Sequence, residues 1–156
     1  MAGKSNFTAD EWQQIAQAPF MVAQYVSQAS KGGAIGTIKE VMALLQSLGP
    51  SNVADQGQLV KDLVADVSAK AVDVSGGGVE RSADTIKGGL GAAMALLNSK
   101  APDEAAGFRQ WLYSLAVKVA EASKEGGFMG VGGTKVSAEE QAALTELAAT
   151  LGVQAS

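Results

Sequence analysis

A chain of 156 residues, 47% apolar and 18% charged, has the length of one domain and enough apolar material to bury a core, which excludes disorder over most of it. It contains no Cys and no His, so disulfides, thiolate chemistry, Cys-ligated metals and Ser–His–Asp or Cys–His nucleophiles are excluded. The net charge is −4 and the twelve basic residues are scattered from Lys4 to Lys135, with no run able to track a phosphate backbone, so nucleic acid is not an expected partner.

Aromatics make up only 5% of the chain, and a core of mostly Ala, Val and Leu suits close helix packing better than a β-sandwich. The first predicted helix opens on Thr8-Ala9-Asp10-Glu11, a capping box, with Phe7 and Trp12 at the two positions of a hydrophobic staple. Trp12, Ile15, Ala16, Val22, Ala23 and Val26 follow at helical spacing. Pro19 lacks an amide hydrogen and crowds the preceding turn, which predicts a kink or break near Gln17–Ala18. Gly32-Gly33 is a stop. Thr37-Ile38-Lys39-Glu40 is a second capping box, opening a short helix with Val41, Leu44, Leu45 and Leu48 on one face, closed by Gly49-Pro50.

A third helix is expected from about Gln58 to Ala71, with Val60, Leu63, Val64 and Val67 inward. Ser75-Gly76-Gly77-Gly78 reads as a loop within one domain, because either half alone would have a thin core. The fourth helix, about Val79 to Ser99, carries Ile86, Leu90, Met94 and Leu97 on one stripe. Gly88, Gly89 and Gly91 interrupt it, each costing roughly 1 kcal/mol relative to Ala. They mark either a kink or a smooth face for a closely packed neighbour, and close packing is the plainer reading. Pro102 suits the first turn of a fifth helix, with Asp103 and Glu104 complementing its dipole and Phe108, Trp111, Leu112, Leu115, Val119 and Ala122 as its stripe. The last helix starts at Ser137-Ala138-Glu139-Glu140, a third capping box, and presents Leu144, Leu147, Ala148 and Leu151 before Gly152.

The expected fold is therefore all-α: a bundle of about six helices forming one domain over residues 1–156, with flexible loops near 31–36, 75–78 and 126–136. The N-terminus leads into a polar helix start, not an apolar signal segment, and the longest apolar stretch, Gly88–Leu97, is about half of what a membrane crossing needs. The expectation is a cytoplasmic protein with no transmembrane segment.

Two stretches repeat one plan. Val26-Ser27-Gln28-Ala29-Ser30-Lys31-Gly32-Gly33 leads to Thr37, Glu40, Leu44, Leu48 and Gly49; Val119-Ala120-Glu121-Ala122-Ser123-Lys124-Glu125-Gly126-Gly127 leads to Ser137, Glu140, Leu144, Leu147, Leu151 and Gly152. Each is helix, glycine loop, capping box and Leu-rich helix, which suggests two related helical hairpins. This plan resembles the tellurite-resistance TerB-like family of bacterial helical domains, whose Ala-rich helix runs into an acidic-glycine loop and then a capped helix. Val136-Ser137-Ala138-Glu139-Glu140, followed by Ala143-Leu144, is similar to the second half of that pattern, and the resemblance covers about a third of the chain. Gly126-Gly127-Phe128 and Gly130 before the last helix also resemble a set of small uncharacterised bacterial helical proteins. The TerB-like resemblance implies a stress-related role. Where that family carries a loop Asp associated with metal binding, this chain has Ser30-Lys31 and Ser123-Lys124, so no cation site carries over.

The loop Gly126–Lys135 is the most unusual local feature. Glycine-rich turns cradle anions, but Gly133 stands where a phosphate loop needs Lys, and no strand precedes it. Phe128, Met129 and Val131 either tuck under the bundle or offer an apolar tip to a partner, a ligand or a membrane. Asp10–Glu11 and Glu139–Glu140 are adjacent carboxylates at helix starts, which do not face each other and so make no acid–base couple. Trp12 and Trp111 lie on core stripes; Tyr25 and Tyr113 offer hydroxyls without an identifiable base. No catalytic residue, metal ligand or cofactor is expected. The sequence points to a non-enzymatic binding or scaffold domain, self-associating or bound to a protein partner through Phe128, Met129 and Val131. Second comes a carrier of a small apolar ligand or lipid between helices, and third a weak divalent-cation module.

Overall fold

The computed structural model describes residues 3–29, 57–69, 82–125 and 138–153. Among them run five α-helices, α1 (Ala9–Ala29), α2 (Gln58–Ser68), α3 (Ala83–Lys100), α4 (Pro102–Glu125) and α5 (Ala138–Leu151), preceded by one turn of 3-10 helix, Lys4–Asn6. No strand occurs among the described residues, and the fold is all-α. The sixth expected helix, over 37–48, lies outside the described residues, as do the expected loops near 31–36, 75–78 and 126–136.

Local chemistry sets most of the helix ends. The Glu11 amide donates to Thr8 Oγ1 at 3.2 Å, and the Thr8 amide donates back to Glu11 Oε1 at 2.9 Å, so the first capping box is closed both ways. The staple is formed as well, the Phe7 and Trp12 ring centroids standing 5.9 Å apart. Helix α3 begins at Ala83, later than the Val79 expected, because Ser82 is its N-cap and accepts from the Thr85 amide at 3.2 Å. Helix α2 ends at Ser68, short of Ala71, with the Ala69 amide closing on the Ala65 carbonyl at 2.9 Å. At the far end of α5, Gly152 takes a φ of 79°, and the amides of Gly152 and Val153 both reach the Ala148 carbonyl at 2.9 Å.

Pro19 does not break α1, which runs unbroken from Ala9 to Ala29. A proline inside a helix costs about 3 kcal/mol through one lost hydrogen bond and a clash. Continuing the helix buries Ile15, Ala18, Phe20, Met21 and Val22 to 5% exposure or less. Each large apolar side chain so buried contributes roughly 1.5–3 kcal/mol, so burial outweighs the proline.

Helix α1 packs against α3, α4 and α5, and those three pack against one another, forming a four-helix frame. Phe20, Phe108, Ile15, Leu112, Leu115 and Leu147 are fully buried inside it. The first arms of the two echoing units, α1 and α4, lie directly against each other. Helix α2 stands outside this frame, docked on α4 and on the N-terminal turn. The glycines of α3 divide. A Cβ on Gly89 would stand 2.8 Å from Met21 Sδ, so there the close-packing expectation holds. Gly88 and Gly91 are exposed and have nothing within 4 Å of a Cβ, so at those two it fails. Among the described residues no helix is long and apolar enough to cross a membrane.

Candidate functional site

Phe128, Met129 and Val131, the contact residues expected from the sequence, lie outside the described residues, as does the rest of Gly126–Lys135. Trp12 and Trp111 are buried, as the core reading of their stripes requires, and Tyr25 and Tyr113, expected to offer hydroxyls, are buried as well. Asp10 and Glu139 are exposed. Glu140 is buried to 2% exposure, while Ser137, its expected capping partner, is outside the described residues. Among the described residues no three carboxylates gather in a way that would hold a metal ion.

Three polar assemblies carry the electrostatics of the described structure. The first lies where the N-terminal turn meets α2. The Lys4 amide donates to Asp62 Oδ2 at 3.0 Å, and Lys4 Nζ lies 2.5 Å from Asp66 Oδ2. Trp12 Nε1 donates to that same Asp66 oxygen at 3.0 Å, and Gln58 Nε2 donates to Asp62 Oδ1 at 2.6 Å. Asp62 and Asp66 are one helical turn apart and so share a face of α2. Between this turn, the start of α1 and α2 opens a cleft of about 720 Å³, walled by Phe7, Trp12 and Ala65 and edged by Lys4, Asp62 and Asp66.

The second assembly is a cap supplied from another helix. Gly57, at the N-cap of α2, has a φ of 93° and no side chain to offer its free amides. Glu104, in the first turn of α4, fills that place: its Oε1 accepts from the Gln58 amide at 3.1 Å, and a Cβ on Gly57 would collide with the carboxylate. With Glu104 only 9% exposed, one carboxylate faces the positive ends of two helix dipoles. Glycine is required at 57 on both counts, backbone and space.

The third joins α1, α3 and α5. The Tyr25 hydroxyl donates to Glu146 Oε2, Lys87 Nζ sits 2.9 Å from the same oxygen, and Lys87 lies 5.7 Å above the Tyr25 ring centroid. Burial, then the Glu146 hydrogen bond, push the Tyr25 hydroxyl above its ordinary pKa. The Tyr25 hydrogen bond, then Lys87, hold the Glu146 carboxyl below the usual range, and Glu146 in turn raises Lys87. A raised phenol and a raised ammonium are poor bases near neutrality, so this trio ties helices together more readily than it moves protons. A smaller cleft of about 310 Å³ lies beside it, between Tyr25, Ala83 and Glu146.

Sequence reasoning missed Lys4, Asp62, Asp66, Lys87 and Glu146, and gave Glu104 a role only at the start of its own helix. One signal was available: a helix starting after Gly57 has no cap of its own, so its cap had to come from elsewhere. Comparison with known proteins finds no matching family model, no matching curated protein and no matching solved structure.

Proposed function

We propose that this chain is a non-enzymatic helical binding or scaffold domain, self-association included. A cytoplasmic location and a stress-associated role belong to the same proposal, the latter resting on the TerB-like resemblance alone. The observation that supports the reading is the open 720 Å³ cleft beside α2. Its apolar walls and acidic edge suit a partner segment that brings an apolar side chain together with an ammonium or guanidinium group. Phe128, Met129 and Val131 are proposed as a second contact. Light scattering across a concentration series, with and without Ala65→Arg in the cleft and Phe128→Ser with Met129→Ser in the loop, tests this. Association that weakens in either variant supports the reading. A wild-type chain that stays monomeric and retains no protein in a pull-down contradicts it.

The second reading, a carrier of a small apolar ligand, has a specific observation in its favour. Trp111 is 3% exposed and its Nε1 has no hydrogen-bond partner among the described residues, an interior donor that an apolar ligand with one acceptor oxygen would satisfy. Native mass spectrometry of the purified chain decides it: added mass in the wild type, lost in Trp111→Phe, is the outcome it requires. The divalent-cation reading has no such observation behind it.

A further inference from the structure

Helix α2 is attached differently from the rest of the bundle. Its apolar residues Leu59, Val60 and Leu63 are fully buried, yet among the described elements it packs substantially only on α4 and on the N-terminal turn. That turn is bound to α2 almost wholly through polar groups. The Lys4 amide and ammonium take Asp62 and Asp66, on successive turns of the helix. Gly3 is buried against the same helix, and a Cβ there would stand 2.7 Å from Asp62 Oδ2. The other side of the turn is anchored to the frame: Asn6 Nδ2 donates to the Lys100 carbonyl at 3.2 Å, and the Phe7 ring packs at a tilt against Trp12. Residues 3–7 therefore bridge the frame and α2 as a strap, beside the direct bond from Trp12 Nε1 of α1 to Asp66.

We propose that this strap is a releasable clasp: when the Lys4 ammonium lets go of Asp66, α2 opens as a unit more often while α1, α3, α4 and α5 stay folded. The physical grounds are a difference in kind. The frame is held by mutual burial of large apolar side chains, which no local event undoes. The clasp is held by an ion pair whose lysine side chain is 50% exposed, where solvent and salt compete for the charge. Proteins open locally where tertiary support is least, and among the described elements α2 has fewer substantial helix neighbours than any other helix. Anything that offers a competing ammonium to Asp66 would act on the same catch, so the clasp is also a control point for the cleft it borders. The opening itself is a property of the isolated chain and stands whether or not the binding reading does.

Hydrogen exchange resolved by residue tests it on the full chain. In Lys4→Ala the amides of Asp62–Ala69 should exchange about two- to fivefold faster, the range for an exposed ion pair, with amides of α1, α4 and α5 unchanged. Lys4→Arg should restore protection, and 0.5 M salt should reproduce the alanine effect in the wild type. Unchanged exchange in α2, or equal acceleration in every helix, overturns the proposal. The salt arm needs no variant, so the proposal stays testable even where a substitution misfolds.

Discussion

The four-helix frame and helix α2 are built from the same alphabet, yet they are held by different forces. Inside the frame Phe20, Phe108, Leu112 and Leu147 are fully buried, and each frame helix packs on the other three. Helix α2 buries one apolar face, but its N-terminus is capped by Glu104 of another helix and its outer side is caught by Lys4. The contrast teaches that a helix docked on the outside of a bundle can be positioned by a few long-range polar bonds, and that such bonds set where the molecule gives first.

The sharpest way to break the comparison is to remove a large side chain from the frame. Phe108→Ala should cost about 3–5 kcal/mol and lower the melting temperature on the order of 10 °C, with all helices lost in one transition. Calorimetry checks this; a small loss confined to one helix would show that the frame is not a unit. Glu104→Ala should cost about 1–2 kcal/mol, the scale of a lost cap, and the loss should register in α2 by exchange well before it registers in α1. An effect spread evenly over the bundle would count against a cap supplied across helices.

The exposed glycines sharpen the comparison from the other side. Gly88→Ala and Gly91→Ala should each stabilise the chain by about 0.5–1 kcal/mol, since nothing crowds the added methyl. Gly89→Ala should gain less or lose, because Met21 must move, and thermal melts of the three variants will rank them. Equal gains at all three would mean that α1 and α3 are not in close contact at Gly89.

The smallest effect lies in the pH profile. Glu146 is held below its ordinary range, so its contribution is complete above that range and is lost as pH falls through its folded pKa. Glu11, lowered first by the Thr8 amide and then by Lys100, adds to the same acid limb. Tyr25 and Lys87 are raised, so their contributions are complete below about pH 10 and are lost as pH climbs beyond it. Glu146→Gln should flatten part of the acid limb of a melting-temperature profile, and Tyr25→Phe part of the alkaline one. Curves parallel to the wild type throughout would mean the trio does not form.

What was legible in the sequence was whatever depends on neighbours along the chain. Thr8 and Glu11, the Phe7–Trp12 staple, the stripe of α4 and the Gly152 terminus all follow from spacings of a few residues. The passage of α1 through Pro19 was not legible, because the opposing burial comes from other helices. Nor were the polar assemblies. Gln58 meets Glu104 across 46 residues, Lys4 meets Asp62 across 58, and Tyr25 meets Glu146 across 121. Periodicity tells which face of a helix is covered, not which helix covers it. The candidate contact residues show the converse: Phe128, Met129 and Val131 were conspicuous in the sequence, while the cleft beside α2 was invisible in it.

The most direct measurement of the difference between frame and docked helix is hydrogen exchange of the wild-type chain across a series of low urea concentrations. The amides of α2 should exchange through an opening of lower free energy and weaker urea dependence than those of α1, α4 and α5, which should share one higher isotherm. If α2 merges with the others at every urea concentration, it is an integral part of the frame, and the division of the molecule into frame and docked helix is contradicted.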